Sequence, residues 1–380
     1  MTLVGLLGPI IALLAWQMAF VERTRTRAAI FFLAFLTHIG TTILYYFWVQ
    51  TTVADTILYY DDPYSFYGTG FGMGTRFVIY MVQYLKDILG GTYLDYFLLF
   101  QAFGFWGVVL MMRIFEEIHI ELGTKQSPFT YLLFFLPSIH FWTSAIGKDA
   151  PLFLAASLAV WSAMQLRRRF IAFGLSILIM VLFRPYIALA ALMALALSAF
   201  IDPRNSVGTK LVLLLAAFAA VVPVLGTVEN TFRVDVTSAE SVSDFFQYQS
   251  EISAQDEGGS AVVGASYPVR IFSLLFRPLF VDANGAFGLI ASLENLFLMF
   301  ILFQMLRNFG SVKKLVRSVF FVRFGSIFAV VLILLLGFVY YNVGLGLMQK
   351  VMFMPGLLTL FVAVLAVKHA KAARTALSYA

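Results

Sequence analysis

Apolar stretches of about 20 residues recur along the whole chain, and this feature limits the fold more than any other. Each helical residue advances about 1.5 Å, so one such stretch crosses a hydrocarbon core about 30 Å thick. The candidate spans are 3–20, 29–49, 92–112, 128–146, 150–166, 169–183, 186–200, 209–227, 287–306, 324–341 and 352–367. We therefore predict an all-α, polytopic integral membrane protein, with about eleven transmembrane helices in a single transmembrane domain, 1–380.

Composition excludes several other classes of protein. Charged residues make up 12% of the chain, about half the share of a usual soluble domain. The absence of cysteine excludes disulfides, thiolate catalysis and Cys-based zinc sites. The histidines lack the close spacing of metal ligands, and we predict no cofactor; a divalent metal could assist through Asp61 and Asp62, but two adjacent acids specify no metal. We find no nucleotide-binding motif, and the net charge of +6 forms no nucleic-acid-binding patch.

The distribution of Lys and Arg predicts the orientation, because cytoplasmic connections carry the excess of basic residues. One alternating set of connections holds 18 of the 26 basic residues: Arg23, Arg25, Arg27, Arg113, Lys125, Arg167, Arg168, Arg169, Arg204, Lys210, Arg307, Lys313, Lys314, Arg317, Arg323, Lys368, Lys371 and Arg374. We assign this set to the cytoplasm. The N-terminus is then outside and the C-terminus is cytoplasmic.

Two long segments fall on the outer side under this orientation. The first outer loop, 50–91, contains a turn-rich piece followed by apolar residues at helical spacing over Arg76–Leu89, which predicts an interfacial helix. The second, 228–286, begins acidic and then becomes apolar, which predicts a second interfacial or re-entrant helix.

Four cations on the outer side lie between apolar runs: Lys148, Arg184, Arg277 and Lys350. A charge near the hydrocarbon costs about 2.5–3.5 kcal/mol on insertion scales, so such residues usually mark a functional site. These cations and the other candidate residues also have simpler explanations. A lone cation can snorkel to lipid headgroups, Asp62 can form a turn with Pro63, and His140 can be a core histidine with satisfied hydrogen bonds. Glu294, eight residues into a span, either bonds to a neighbouring helix or belongs to a proton path.

Together, these outer residues suit an anionic, lipid-linked substrate. Cations neutralise a phosphate or diphosphate leaving group. A carboxylate of the Asp61-Asp62 pair can accept the proton of an attacking sugar hydroxyl. Tyr and Trp rings stack on the apolar faces of sugars.

The string from Leu136 to Asp149, LPSIHFWTSAIGKD, resembles a pattern in polytopic polysaccharide-assembly proteins. These include GT-C-type membrane glycosyltransferases and the repeat-unit polymerases of exopolysaccharide and O-antigen pathways. Tyr60-Asp61-Asp62-Pro63-Tyr64 looks like the first-outer-loop acid of the GT-C type, and Arg184-Pro185 and Gln349-Lys350 look similar to polymerase features near span ends. The sequence departs from the pattern at Met348-Gln349-Lys350, where an Arg-rich stretch is typical, and it lacks the large soluble C-terminal domain of many GT-C enzymes.

The resemblance implies a GT-C-like fold and a location in the bacterial cytoplasmic (inner) membrane. It also implies sugar transfer from a polyprenyl-(di)phosphate donor at the outer face of that membrane. It implies that Asp62 or Asp61 is the general base, that Lys148, Arg184 and Arg277 hold donor phosphate, and that Asp149 orients Lys148. The other implied substrate contacts are Tyr60, Tyr64, His140, Trp142, Arg270, Gln349 and Lys350. Expected partners are a polyprenyl-linked saccharide, membrane lipid and envelope glycan-assembly proteins.

Three alternatives stay open. A transporter or flippase for a lipid-linked or anionic substrate could use interrupted spans around Pro137 and Pro185. A non-catalytic scaffold would tolerate neutral substitutions of the outer charges. A hydrolase or ligase would share the donor and differ in the acceptor.

Overall fold

In this computed structural model the chain is helical, and no strand occurs in the part of the chain that the structure describes. The described ranges are 2–52, 54–61, 70–124, 126–208, 234–235, 237–254, 265–338, 340 and 342–378, with scattered positions between 210 and 229. Two compact units are present, the first formed by 1–184 with 362–380 and the second by 185–361.

The first unit is built around one long helix, α6. Its helices are α1 (Leu3–Leu14), α2 (Trp16–Ala19), α3 (Arg25–Trp48), α4 (Asp55–Tyr60), α5 (Thr75–Leu89), α6 (Tyr93–Glu121), α7 (Pro128–Leu132), α8 (Pro137–Trp142), α9 (Asp149–Met164) and α10 (Phe170–Phe183). Helices α1, α3 and α9 pack against α6, which is mostly buried, and α10 packs against α9. Helix α5 spans Thr75–Leu89, close to the range Arg76–Leu89 that the sequence predicts to be helical.

The start of α6 is fixed by a capping box. The Thr92 hydroxyl accepts from the Asp95 backbone N–H, and the Asp95 carboxylate accepts from the Thr92 N–H at 2.9 Å. Asp95 also accepts from the backbone N–H and the hydroxyl of Thr2. These bonds satisfy backbone donors that the first turn of a helix leaves free, and they tie the beginning of the chain to this end of α6.

At the C-terminal end of α6, two glutamates pair with arginines from connections that the sequence predicts to be cytoplasmic. Glu116 is buried, accepts from the backbone N–H of Glu22 at 3.2 Å, and pairs with Arg27. Glu117 pairs with Arg113 at 2.6 Å and with Arg169 at 3.0 Å. Three of the predicted cytoplasmic connections therefore meet within the first unit, about 40 Å along α6 from its capping box.

Helix α6 is approached closely by its neighbours at glycines. A Cβ atom on Gly8 would lie 1.7 Å from the backbone oxygen of Leu98, and one on Gly104 would lie 2.0 Å from that of Thr143. At these two points the backbone of α6 is in direct contact with the backbone of α1 and with that of Thr143, the residue that follows α8. A side chain at either glycine would force the backbones apart.

We expect Gly8→Ala to destabilise the protein by about 1–3 kcal/mol, since the added methyl group meets backbone that cannot turn away. Gly40 in α3 is the matched control, because a Cβ atom there meets nothing within 4 Å. Thermal unfolding in detergent would measure the difference. Equal midpoints for Gly8→Ala and Gly40→Ala would contradict the close packing of α1 on α6.

The second unit contains α11 (Pro185–Ile201), α12 (Ala239–Ala254), α13 (Tyr267–Phe276), α14 (Gly285–Arg307), α15 (Phe309–Ser318), α16 (Phe320–Phe338), α17 (Val343–Lys350) and the first part of α18 (Met354–Ser378). Helix α11 packs on α16, while α13 packs on α14, α16 and α17. Helix α13 occupies the apolar part of the second predicted outer segment.

Among the residues that the structure describes, four helices, α3, α6, α14 and α16, are long and apolar enough to cross a bilayer. A fifth span is added if α17 and α18, which meet at a bend of 59°, cross together. The predicted total of about eleven exceeds this, because several predicted spans form apolar helices of 10–17 residues, which cover about 15–26 Å. The predicted span 209–227 includes residues outside the described ranges.

The predicted span 128–146 is divided into short pieces. Helix α7 ends at Leu132, a 3-10 turn covers Leu133–Phe135, and α8 begins at Pro137 after the extended residue Leu136. Proline lacks a backbone N–H and pushes the preceding residue out of the helical region, so one continuous helix cannot form here.

Candidate functional site

Four separate segments of the first unit come together at one place. They are α4, the start of α5, the turn before α9 and the residue after α10. Gly74 donates its N–H to the Leu182 oxygen at 2.9 Å, and the Phe77 ring lies 5.1 Å from that of Phe183. Gly74 has φ +69°, a left-handed conformation that favours glycine. The start of α5 is thereby held beside Arg184.

Lys148 lies in the turn before α9 and is largely buried. Its ammonium donates to the Thr75 hydroxyl at 3.0 Å. Burial and, to a smaller extent, the nearby Arg184 charge lower the pKa of Lys148, whereas Asp149 and Asp55 raise it; together they bring this pKa to about 8. Lys148 is therefore mostly protonated at neutral pH and supplies a cation whose charge is only partly neutralised.

Arg184 and Asp149 form a second charged pair beside Lys148. One guanidinium nitrogen of Arg184 lies 3.4 Å from Asp149 Oδ1, and both side chains are about nine-tenths buried. Burial raises the pKa of the Asp149 carboxyl, although Arg184 and Lys148 act to lower it. The expected role of Asp149 was to orient Lys148; in the structure it pairs with Arg184, and the hydroxyl of Thr75 holds Lys148.

Asp55 is the exposed carboxylate of this cluster, and sequence reasoning missed it. The buried Tyr59 hydroxyl donates to Asp55 Oδ2 at 3.4 Å, and the charge of Asp55 acts on Lys148 and Asp149. Tyr59 packs toward the turn, since a Cβ atom on Gly147 would lie 3.7 Å from its ring. An acid in the first turn of a short helix, four residues before a tyrosine, was the signal that could have singled out Asp55.

The structure places Asp61 at the opposite end of α4, where it is exposed. The neighbouring Tyr60 is engaged in the fold. Its backbone oxygen accepts from Lys86 at 2.7 Å, its ring lies 3.9 Å below the same ammonium, and its hydroxyl donates to the Gly91 oxygen. The proposed base Asp62 and the proposed sugar contact Tyr64 lie outside the described residues.

His140 and Trp142 lie on α8. His140 is fully buried, with Nε2 2.6 Å from the Phe134 oxygen and Nδ1 3.0 Å from Nδ1 of His38. His140 thus has the environment of a core histidine with satisfied hydrogen bonds, which was the alternative to its predicted role as a substrate contact. The half-buried Trp142 packs its ring edge-on against Tyr45 at 6.0 Å, which leaves part of the indole accessible.

The remaining predicted substrate contacts belong to the second unit. Arg270 donates to the Ala265 oxygen at 3.0 Å, and Arg277 pairs with Asp282. Lys350 is fully buried and donates to Asn295 Oδ1 and, at 3.4 Å, to the Arg277 oxygen. Gln349 is also buried. Arg277 and Lys350, 73 residues apart in sequence, are thus brought into contact.

The cluster of Asp55, Tyr59, Lys148, Asp149 and Arg184, which we call the charged cluster, combines two cations with an accessible carboxylate. Cations of this kind bind phosphate oxygens, and an exposed carboxylate can accept a proton. Within the described residues, no group of three or more His, Asp or Glu side chains is placed to hold a metal ion.

The long apolar helices define an α-helical membrane protein. No protein-family model matches the sequence, and neither a curated protein nor a solved structure matches it.

Proposed function

We propose that this protein is a membrane glycosyltransferase or polysaccharide polymerase that uses a polyprenyl-(di)phosphate-linked sugar at the outer face of a bacterial cytoplasmic membrane. The observation that carries the proposal is the charged cluster, in which buried Arg184, largely buried Lys148 and exposed Asp55 meet. Sugar transfer from a lipid phosphate needs cations for the leaving group and a base for the acceptor.

The chemical step assigns one role to each side chain. An acceptor hydroxyl oxygen attacks the anomeric carbon of the donor, a new C–O bond forms, and the bond from that carbon to the phosphate oxygen breaks. The hydroxyl proton passes to the Asp55 carboxylate, and the bonding electrons leave with the polyprenyl phosphate or diphosphate. Lys148 and Arg184 stabilise the negative charge that develops on the leaving group. Asp149 positions Arg184 through the ion pair.

The topology of the proposed enzyme has the N-terminus outside, the C-terminus in the cytoplasm and about eleven spans in a GT-C-like arrangement. Within the first unit, the basic clusters at Glu116 and Glu117 lie at the C-terminal end of α6, and α4 contacts its N-terminal end through a 2.6 Å bond between Thr56 and Tyr93. The first outer loop thus begins at the end of α6 that is remote from the basic connections, which supports this orientation.

Activity would be tested with purified protein in proteoliposomes that contain a polyprenyl-diphosphate-linked oligosaccharide. We expect longer glycan together with released polyprenyl carrier. Lys148→Glu should abolish both products, because it puts a negative charge where the leaving phosphate binds, and it should leave the protein in the membrane. The exposed Lys313 offers the control, Lys313→Glu. Full activity of Lys148→Glu would remove the phosphate-binding role.

The affinity for polyprenyl phosphate should fall as the pH rises above about 8. Lys148 has a pKa of about 8, so below that pH it is charged before the anion binds, whereas above it a proton must be taken up. The affinity should then fall by up to about tenfold per pH unit. Lys148→Arg keeps its charge throughout and should remove this dependence. Calorimetry of the binding of a short-chain polyprenyl phosphate to the wild-type protein and to Lys148→Arg would test this. The same fall in affinity in Lys148→Arg would show that a group other than Lys148 causes the pH dependence.

A transporter or flippase is the second candidate, and the broken helix pair favours it. Helices α17 and α18 meet at a bend of 59°, and the buried Lys350 lies at the break. Interrupted helices of this kind form substrate sites in transporters. In the same proteoliposomes, movement of unaltered lipid-linked oligosaccharide between leaflets without carrier release would favour transport over transfer.

A further inference from the structure

Two histidines face each other in the core of the first unit. His38 lies on α3 and His140 on α8, and both are fully buried. Their Nδ1 atoms are 3.0 Å apart, a hydrogen-bond distance. Each Nε2 faces a backbone oxygen: that of His38 lies 3.1 Å from the Gln101 oxygen, and that of His140 lies 2.6 Å from the Phe134 oxygen.

These contacts fix the number of protons on the pair. A backbone oxygen only accepts hydrogen bonds, so each Nε2 must carry a hydrogen. The contact between the two Nδ1 atoms needs one further hydrogen, because two lone pairs at 3.0 Å repel. The three contacts therefore need three hydrogens, whereas two neutral imidazoles carry only two.

We propose that His38 and His140 together bind one proton, held between their Nδ1 atoms. In the neutral pair, either the two Nδ1 lone pairs face each other, or one Nε2 lone pair faces a backbone oxygen. Each alternative leaves fully buried polar atoms in a repulsive contact in place of a hydrogen bond, which is costly for a buried group. One additional proton turns all three contacts into hydrogen bonds.

The surroundings of the pair make this proton the main local charge. Helix α6 contributes the Phe105 ring, 5.8 Å from that of His38, and the backbone oxygen of Gln101. Helix α3 contributes the Thr41 hydroxyl, which donates to the backbone oxygens of both histidines. The Phe135 ring lies 6.4 Å from that of His140. In the described part of the chain, no Asp, Glu, Lys or Arg side chain bonds to either ring.

Loss of the proton would affect the packing of α8 on α3. The two Nδ1 lone pairs would then repel across the contact that joins the helices, so the rings must turn or separate. The short helix α8 leads into the turn that carries Lys148. The pair is therefore a proton site that is distinct from the charged cluster and does not depend on the proposed sugar transfer.

Solid-state NMR of the protein, with ¹⁵N-labelled histidine and in lipid bilayers, would count the protons. We expect three protonated nitrogens and one bare nitrogen in the pair, with a nitrogen–nitrogen coupling across the shared hydrogen. His369 is exposed, so the coupling should survive His369→Gln, and it should disappear in His140→Gln. Two bare nitrogens throughout the range of about pH 5–8, with no coupling, would overturn the proposal. This result needs only the wild-type protein, so a folding defect of His140→Gln does not affect the conclusion.

Discussion

Asp55→Asn should reduce glycan elongation by about 10²–10⁴-fold, the usual contribution of a general base. Asparagine has nearly the same shape as aspartate but cannot take the proton of the acceptor hydroxyl. Asp55 is exposed, and its charge acts on Lys148 and Asp149 across the charged cluster. The substitution removes the proposed base without removing the side chain of either proposed phosphate-binding cation.

The control for this prediction is Asp61→Asn, six residues further along the chain. Asp61 lies at the far end of α4 and is exposed, so we expect Asp61→Asn to elongate glycan within a few-fold of the wild-type rate. Elongation would be measured as chain length and released carrier, at equal amounts of membrane-inserted protein. An active Asp55→Asn together with an inactive Asp61→Asn would return the general base to the position that the sequence suggested. Asp62→Asn should be measured beside them.

Asp55 shows why the proposed base is harder to identify from the sequence than the proposed phosphate-binding cations. Lys148 and Arg184 stand out because each is a lone charge between apolar runs, and their meeting follows from placing both at one end of neighbouring helices. Asp55 precedes a tyrosine-rich segment in which Asp61 and Asp62 are more conspicuous. To choose Asp55 as the base, one must know how α4 is oriented. This helix has only six residues, too few for a sequence periodicity that would determine its orientation.

Long helices were predicted better than short ones. Helices α3, α6, α14 and α16 overlap predicted spans, because an uninterrupted apolar run of sufficient length has few alternatives to a helix. The 128–146 segment was predicted as one helix although Pro137 lies within it. The pairing of His38 with His140 could not be predicted, since a contact across 102 positions depends on how α3 and α8 pack.

A second large effect is expected in the second unit, where Arg323→Ala should destabilise the protein by about 3–5 kcal/mol. The Arg323 side chain is 0% exposed and pairs with Asp202, whose side chain is 8% exposed. The same guanidinium donates to the Arg317 oxygen at 2.7 Å and to the Val316 oxygen at 3.3 Å, at the end of α15. Removal of Arg323 leaves a buried carboxylate without its buried partner and two helix-end oxygens without their donor.

Arg204 is a matched control for this prediction, because it pairs with the same carboxylate from the surface. Its side chain is 70% exposed, and an exposed pair contributes about 0–1 kcal/mol. Thermal unfolding in detergent should therefore give a much larger loss for Arg323→Ala than for Arg204→Ala. The double variant Asp202→Asn with Arg323→Met should recover part of that loss, since it leaves no unpaired buried charge and fills the space with an apolar side chain. Equal losses for the two single variants would show that the exposed arginine alone compensates Asp202, and that the buried ion pair does not hold α11 to α16.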